Sequence, residues 1–254
     1  MIAPIIFICV ILSVAVIVVI KHIKDQKLIA TATDLSRGTP SERKLILKLL
    51  KYGISPKAIF HDAYFPKSCG EYTQADVVVP TKAGIIVFEV KDYSGWIFGR
   101  GHHQYWTQVL AYGEEKYRFY NPVKQNEGHI VNIKRLLPQF ANVPFYSVIV
   151  FYGNCELKNV SSIPEDTIII YPSQIKSTLN YILNSNPLAQ YADKREILDL
   201  FKKAVENGDD VGIVNSHIAK MRQRYPDVSA DYASLRIMRR FVKMMFRYNR
   251  RRYW

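Results

Sequence analysis

Cysteine is scarce in this chain of 254 residues: Cys9, Cys69 and Cys155 are the only three, and they lie far apart. No Cys-x-x-Cys pair or Cys/His cluster occurs. That removes the usual zinc spacings and a disulfide framework, and it fits a reducing compartment. Charge is missing altogether from residues 2–20, IAPIIFICVILSVAVIVVI. No basic side chain precedes this run, which argues against a cleaved signal peptide. Its length meets the ~20 residues of a spanning helix. Lys21, Lys24 and Lys27 follow it, so the positive-inside rule predicts a single-pass cell-membrane protein with a cytoplasmic C-terminal domain. Acids are in deficit: 22 Asp and Glu stand against 35 Lys and Arg, a net charge of +13. Such a balance points to a polyanionic partner, whether nucleic acid, an anionic membrane surface or both.

What is present reads as an anchor at 1–20, a linker at 21–40, a folded domain at 41–172 and a helical, basic region at 173–254. Thr31–Pro40 has turn residues and no apolar period. Ser41–Lys51 carries Leu45, Ile46, Leu49 and Leu50 on one stripe, as an amphipathic helix does, and Tyr52-Gly53 ends it. Strands are predicted over 58–65, 75–79 and 84–88, with Pro80–Gly84 supplying the turn between the last two. Residues 92–120 read as short antiparallel strands rich in aromatics. Asn121-Pro122 opens a second helix, with Asn as N-cap and Pro at N1, that stops before Pro138. Two short strands follow at 146–152 and 167–171. The order is that of an α/β domain with a mixed sheet.

The run Gly84–Phe88 closes on Glu89-Val90-Lys91. Period two puts Glu89 and Lys91 on one face of the strand. On the preceding strand Asp76 interrupts Ala75–Val79. A Glu and a Lys two residues apart can be a solvated ion pair of little consequence. Here, however, the flanking residues are nearly all Val, Ile and Phe, as in strands covered on both faces. Acids in such a place need a partner or a metal. Glu42 stands in the first turn of the first helix, where it would in any case suit the helix dipole. Gln125 and His129, at i and i+4, share one face of the second helix.

Ser41-Glu42-Arg43, Gln74-Ala-Asp76, Gly84–Lys91, Tyr93–Gly99, Trp106 and Phe119–Asn126 with His129, in this order, resemble the NERD (nuclease-related) domain of the PD-(D/E)xK nuclease superfamily. The likeness covers roughly residues 38–152. It implies a restriction-endonuclease-like αβββαβ core and phosphodiester hydrolysis in DNA or RNA. It implies Asp76 and Glu89 as ligands of Mg²⁺ or Mn²⁺, and Lys91 as the residue that orients the attacking water or stabilises the phosphorane. Glu42 would support the metal or its water shell, and Gln125 would face the site from the second helix. In one departure from the pattern, Ala75 stands where a Pro would precede Asp76. The alternative is a catalytically silent module that binds nucleic acid or protein on the same fold.

Residues 232–254 hold eight Lys or Arg, no acid and six aromatics. Part of the stretch has helical spacing. Arg250, Arg251 and Arg252 are candidates for contact with nucleic-acid phosphates, and the tail could equally lie on anionic lipid.

Overall fold

A computed structural model describes residues 2–110, 113–191 and 193–224. The charge-free run lies in helix α1, Ile2–Ala30. Every described side chain from Phe7 to Lys24 is exposed. Among the described residues no helix is long and apolar enough to cross a membrane, so the fold lends no support to the transmembrane helix expected at 1–20. The helix also continues through residues 21–30, expected as linker. Its last turns find tertiary partners: Ile29 is buried, Leu28 packs against the core and Asp25 pairs with Lys51 at 2.6 Å. Only residues 31–39 form an irregular connection.

Helix α2, Pro40–Tyr52, has Pro at its first position and is capped by Thr39, whose hydroxyl accepts from the Glu42 amide at 3.2 Å. Gly53 closes it at φ +107°, a conformation that favours glycine. Strands β1 (Phe60–Pro66), β2 (Tyr72–Thr81) and β3 (Gly84–Asp92) form an antiparallel meander. After β4 (Gly95–Arg100), β5 (Tyr105–Leu110) and β6 (Glu115–Tyr120), helix α3 (Pro122–Leu136) leads into β7 (Phe145–Tyr152). β7 pairs with β3 in parallel. The series α2-β1-β2-β3-α3-β7 is the expected αβββαβ core. β8 (Cys155–Ser161) and β9 (Thr167–Ile170) follow, then α4 (Ile175–Ser185), α5 (Lys194–Asn207) and α6 (Val211–Arg224).

Among the described residues there are two sheets where one was expected. The larger has the order β1-β2-β3-β7-β9 and the smaller β6-β5-β4-β8. β3 is buried from Gly84 to Lys91 because both faces of its sheet are covered. Ile86, Phe88 and Val90 pack with Leu45 and Leu49 of α2 and Leu179 of α4. Ile85 and Val87 pack with Ile133 of α3 and Phe201 of α5. The helices after residue 173 therefore complete the sheet's own core. The inner face of the smaller sheet, through Ile97, Trp106 and Phe119, closes on Ile149 and Phe151 of β7. The Trp106 ring stacks on Phe151, 6.1 Å between centroids and 3° between planes. The C-terminal stretch 232–254, with Arg250, Arg251 and Arg252, lies outside the described residues.

Candidate active site

Glu89 and Lys91 continue, on β3, the alternation that sends Ile85 and Val87 toward α3. Two polar residues thus occupy places where an apolar pair would extend the core, and both are buried, at 1% and 3% exposure. The Lys91 ammonium donates to Glu89 Oε1 at 2.6 Å and to Gln125 Oε1 at 2.9 Å. Gln125 reaches the site because α3 is held firmly. Asn121 caps the helix by accepting from the Val123 amide, and its own amide donates to the carbonyls of Gly101 and His103. One turn into the helix, buried Asn126 donates to Val87 O and Ser147 Oγ, each at 2.9 Å.

His129 arrives from the next turn of α3, its Nε2 3.5 Å from Glu89 Oε2. Its Nδ1 shares a 2.7 Å hydrogen bond with the Thr73 hydroxyl. At 3.5 Å the ring nitrogen and the carboxylate are too far apart for a good hydrogen bond, and Glu89 Oε2 is otherwise a buried oxygen without a partner.

Asp76 is fixed at both oxygens. Oδ2 accepts from the Val90 amide at 2.8 Å, and Oδ1 accepts from Gln74 Nε2 at 3.0 Å. The β1–β2 ladder is irregular beside it. Phe60 faces Val78 and Ala63 faces Ala75, yet all four pack on the α3 side. Strict alternation would not allow that. Asp62, between them, has φ +53°, and the pairing skips Asp62 and Asp76 while keeping the same register on either side. His61, next to Phe60 and opposite Val77, lies on the α2 side of the sheet, where it meets Glu42.

Sequence reasoning missed His61. Its Nε2 lies 2.9 Å from Glu42 Oε2, and its Nδ1 shares a 2.8 Å hydrogen bond with the Thr33 hydroxyl. Both members of the His61–Glu42 pair are buried. Gly38 lies against them so closely that a Cβ there would collide with the His61 ring and the Glu42 carboxylate. The only available signal was a histidine on a strand otherwise rich in apolar residues, which as a rule marks nothing more than a satisfied core histidine. Gln74 and Thr73, which steady Asp76 and His129, had no separate signal beyond period two along β2.

The electrostatics divide the two acids. Burial, with Glu89 and Glu42 nearby, raises Asp76 well above the usual carboxylate range, despite Lys91 and the Val90 amide. Burial would raise Glu89 as well, but Lys91 beside it and His129 outweigh burial, and Glu89 titrates below its ordinary value. Lys91 therefore serves Glu89 first, and Asp76 holds its proton more tightly than an ordinary carboxyl group does.

The donor set suits a hard divalent cation. Two carboxylates, one with a free buried oxygen, match Mg²⁺ or Mn²⁺, which accept one or two carboxylates and retain water. Among the described residues no group of three or more His, Cys, Asp or Glu is arranged to hold a metal. Asp76 and Glu89 could hold it alone, with water in the remaining positions. Glu42, committed to His61, would then act through charge.

The coupling between Glu42 and His61 can be measured. Each single change, Glu42→Ala or His61→Ala, removes one side of this buried hydrogen bond, at a cost of about 1–3 kcal/mol. A double-mutant cycle in urea should therefore show the two changes together costing less than their sum, by about 1 kcal/mol or more. Strict additivity would mean that the pair does not act as a unit.

An uncharacterized protein of Bacillus anthracis is 30% identical over 138 residues, 54% of this chain; the chain spans 63% of that relative's length. No solved structure matches the chain. Residues 37–152, from the Gly38 turn through β7, match the family described as nuclease-related domain. That segment, a little under half of the chain, holds every site residue described above except Thr33 and is similar to the NERD, or nuclease-related domain, family.

Proposed function

We propose that the protein is a divalent-metal-dependent nuclease of the PD-(D/E)xK type that hydrolyses phosphodiester bonds in DNA or RNA. One observation carries the reading: Glu89 and Lys91 replace apolar residues in a fully covered strand and meet Gln125 and the charge of Asp76 there. A folding core has no use for two carboxylates and an ammonium in this place, and a buried pair is weak support for stability. Asp76 and Glu89 would hold Mg²⁺ or Mn²⁺. Such an ion, when bound, activates a water and offsets charge on the phosphoryl oxygens. Lys91 is held by Glu89 and Gln125 with its ammonium at the carboxylates, where it can meet negative charge that grows on the phosphate in the transition state. Gln125 fixes the direction of that ammonium, and Glu42, braced by His61, adds negative potential that favours the cation.

The test is incubation of the full chain, in detergent, with supercoiled plasmid and with oligonucleotides, in Mg²⁺, Mn²⁺ or EDTA. Cutting in either metal and none in EDTA is the expected result. A chain that binds nucleic acid and never cuts it in any divalent metal would make the silent binding module the correct reading.

The same proposal places the protein at the cell membrane, with residues 1–20 as the attachment and the C-terminal domain in the cytoplasm. Its support is the charge-free run followed by Lys21, Lys24 and Lys27 and the exposure of Val10, Ile11, Leu12, Val14 and Val16–Ile20 on α1, a large apolar surface to leave in water. The full chain should sediment with membranes and resist salt extraction, and a reporter that works only in the cytoplasm should be active when fused after Trp254. Recovery of the full chain in the soluble fraction, or activity solely of an externally active reporter, would remove the anchor.

A further inference from the structure

The smaller sheet has two faces, and only one is used by the core. Cross-strand partners lie on the same face, so the register sorts them. Trp106 with Phe119, and Ile97, point inward to β7. Trp96, Val109 and Lys116 are therefore together on the outer face, as are Thr107 with Arg118 and Tyr105 with Tyr120. Trp96, Tyr105 and Tyr120 are half-exposed there, while Lys116, Arg118 and Lys158 are exposed. The cations are not scattered among the rings: the Arg118 guanidinium lies 4.8 Å from the centre of the Tyr105 ring, and the Lys158 ammonium lies 5.3 Å from the centre of the Trp96 ring. Tyr105 meets Tyr120 edge to face at 6.3 Å. Glu156, which faces Trp96 across β8 and pairs with Lys158 at 2.9 Å, is the acid of this face.

We infer that the outer face of β4-β5-β6 is a stacking platform for single-stranded nucleic acid. Three aromatic rings offer faces or edges to unstacked bases, and Lys116, Arg118 and Lys158 offer charge to the phosphates between them, the combination by which proteins hold single strands without reading sequence. Charge complementarity selects this occupant. Among the described residues the face carries three cations and one acid, a surplus that suits a polyanion. Duplex DNA would satisfy the cations but would leave the rings nothing to stack on, because its bases are already stacked on one another. The platform also lies at a useful distance. Trp96 is five positions after Lys91, so their Cα atoms are at most ~18 Å apart, a span that a strand several nucleotides long covers. The tie between Asn121 and the carbonyls of Gly101 and His103 holds this sheet to the helix that carries Gln125.

This assignment rests on the nuclease reading, since it names the substrate class of that site, but it can be tested separately. The full chain in detergent and EDTA, where a metal-dependent activity is silent, is titrated against fluorescent oligothymidylate and oligouridylate of about 20 nucleotides, longer than a typical single-strand site, and against a duplex of equal length. Trp96→Ala/Tyr105→Ala should lower single-strand affinity about tenfold or more and duplex affinity by less than about twofold, with an unchanged thermal melt. Trp96→Phe/Tyr105→Phe should restore most of the loss, because stacking needs a ring and no particular polar group. The two single strands distinguish DNA from RNA as the preferred source. Unchanged single-strand affinity, an equal loss on duplex, or no rescue by phenylalanine would overturn the platform. If the wild type cuts nucleic acid and the alanine variant still binds single strands normally, the platform fails and the nuclease stands. If binding depends on the rings but no metal ever supports cutting, the nuclease fails and the platform stands.

Discussion

Lys91→Ala should lower phosphodiester cleavage by about 10²–10³-fold, the loss seen when one group aimed at developing charge is removed from an enclosed site. The reduction should fall on turnover more than on nucleic-acid binding, because the ammonium acts on charge that appears in the transition state. The same change carries a stability cost. Glu89 would be left as a buried carboxylate with its closest cation gone, and breaking a buried pair from one side costs about 3–5 kcal/mol. Lys91→Met separates the two effects: it keeps most of the side-chain volume and removes only the charge and its hydrogen bonds. Cleavage measured well below each variant's melting temperature, with circular dichroism to confirm the folded state, should show both variants folded and inactive. A folded Lys91→Met protein that cuts at the wild-type rate would assign the activity to another site or to a contaminant.

Asp76→Asn should do the opposite to stability while also ending metal binding. An acid whose pKa is raised on folding keeps its proton to a higher pH in the native state than in the unfolded chain. Its cost is absent below the unfolded value of about 3.9 and grows as pH rises toward the native value, since stability falls with pH wherever the native state binds more protons. Glu89 has the reverse sign: its lowered pKa gives stability that is complete above about 4.3 and is lost as pH falls through the native value. In EDTA, the Asn variant should therefore melt a few degrees above wild type at pH 7–8, at roughly 2–4 °C per kcal/mol for a chain of this size, and the two curves should converge below pH 4. The amide fits the place: its oxygen can still accept from Val90, and Gln74 can turn to accept from its nitrogen. Added Mn²⁺ should raise the melting temperature of wild type, as any ligand of the native state does, and leave the variant unmoved. A variant that melts lower than wild type at pH 8, or that gains as much from Mn²⁺, would show that Asp76 is neither strained in the free protein nor a metal ligand.

Much of the fold was legible because its signals are local. The stripe of Leu45, Ile46, Leu49 and Leu50, the Gly53 stop, the Asn121-Pro122 start of α3 and the apolar runs of β2, β3 and β7 each depend on residues within a turn or two of one another. The pairing of Glu89 with Lys91 followed from period two alone, and that of Gln125 with His129 from period 3.6. The strand β8, Cys-Glu-Leu-Lys-Asn-Val-Ser, was not legible. It is half-exposed, has little alternation that would betray a buried face, and exists because β4 offers it a parallel edge more than fifty residues away in sequence. The last turns of α1 were missed for a similar reason: only α2 tells Lys21–Ala30 that it has something to pack against.

The amino-acid sequence by itself determined the likeness to the nuclease-related domain, the order of the core elements and the placing of Asp76, Glu89 and Lys91 on neighbouring strands, all of which are properties of short segments and their spacing. The tertiary structure alone decided how those residues are charged and braced. The docking of α2 on the sheet face that carries His61 brings Glu42 to it, the β3–β7 pairing and α3 docking bring Gln125 to Lys91, and the closing of both sheet faces removes the water that would otherwise screen Asp76 from Glu89. Desolvation and the meeting of charges from distant segments depend on long-range packing, which no local pattern encodes.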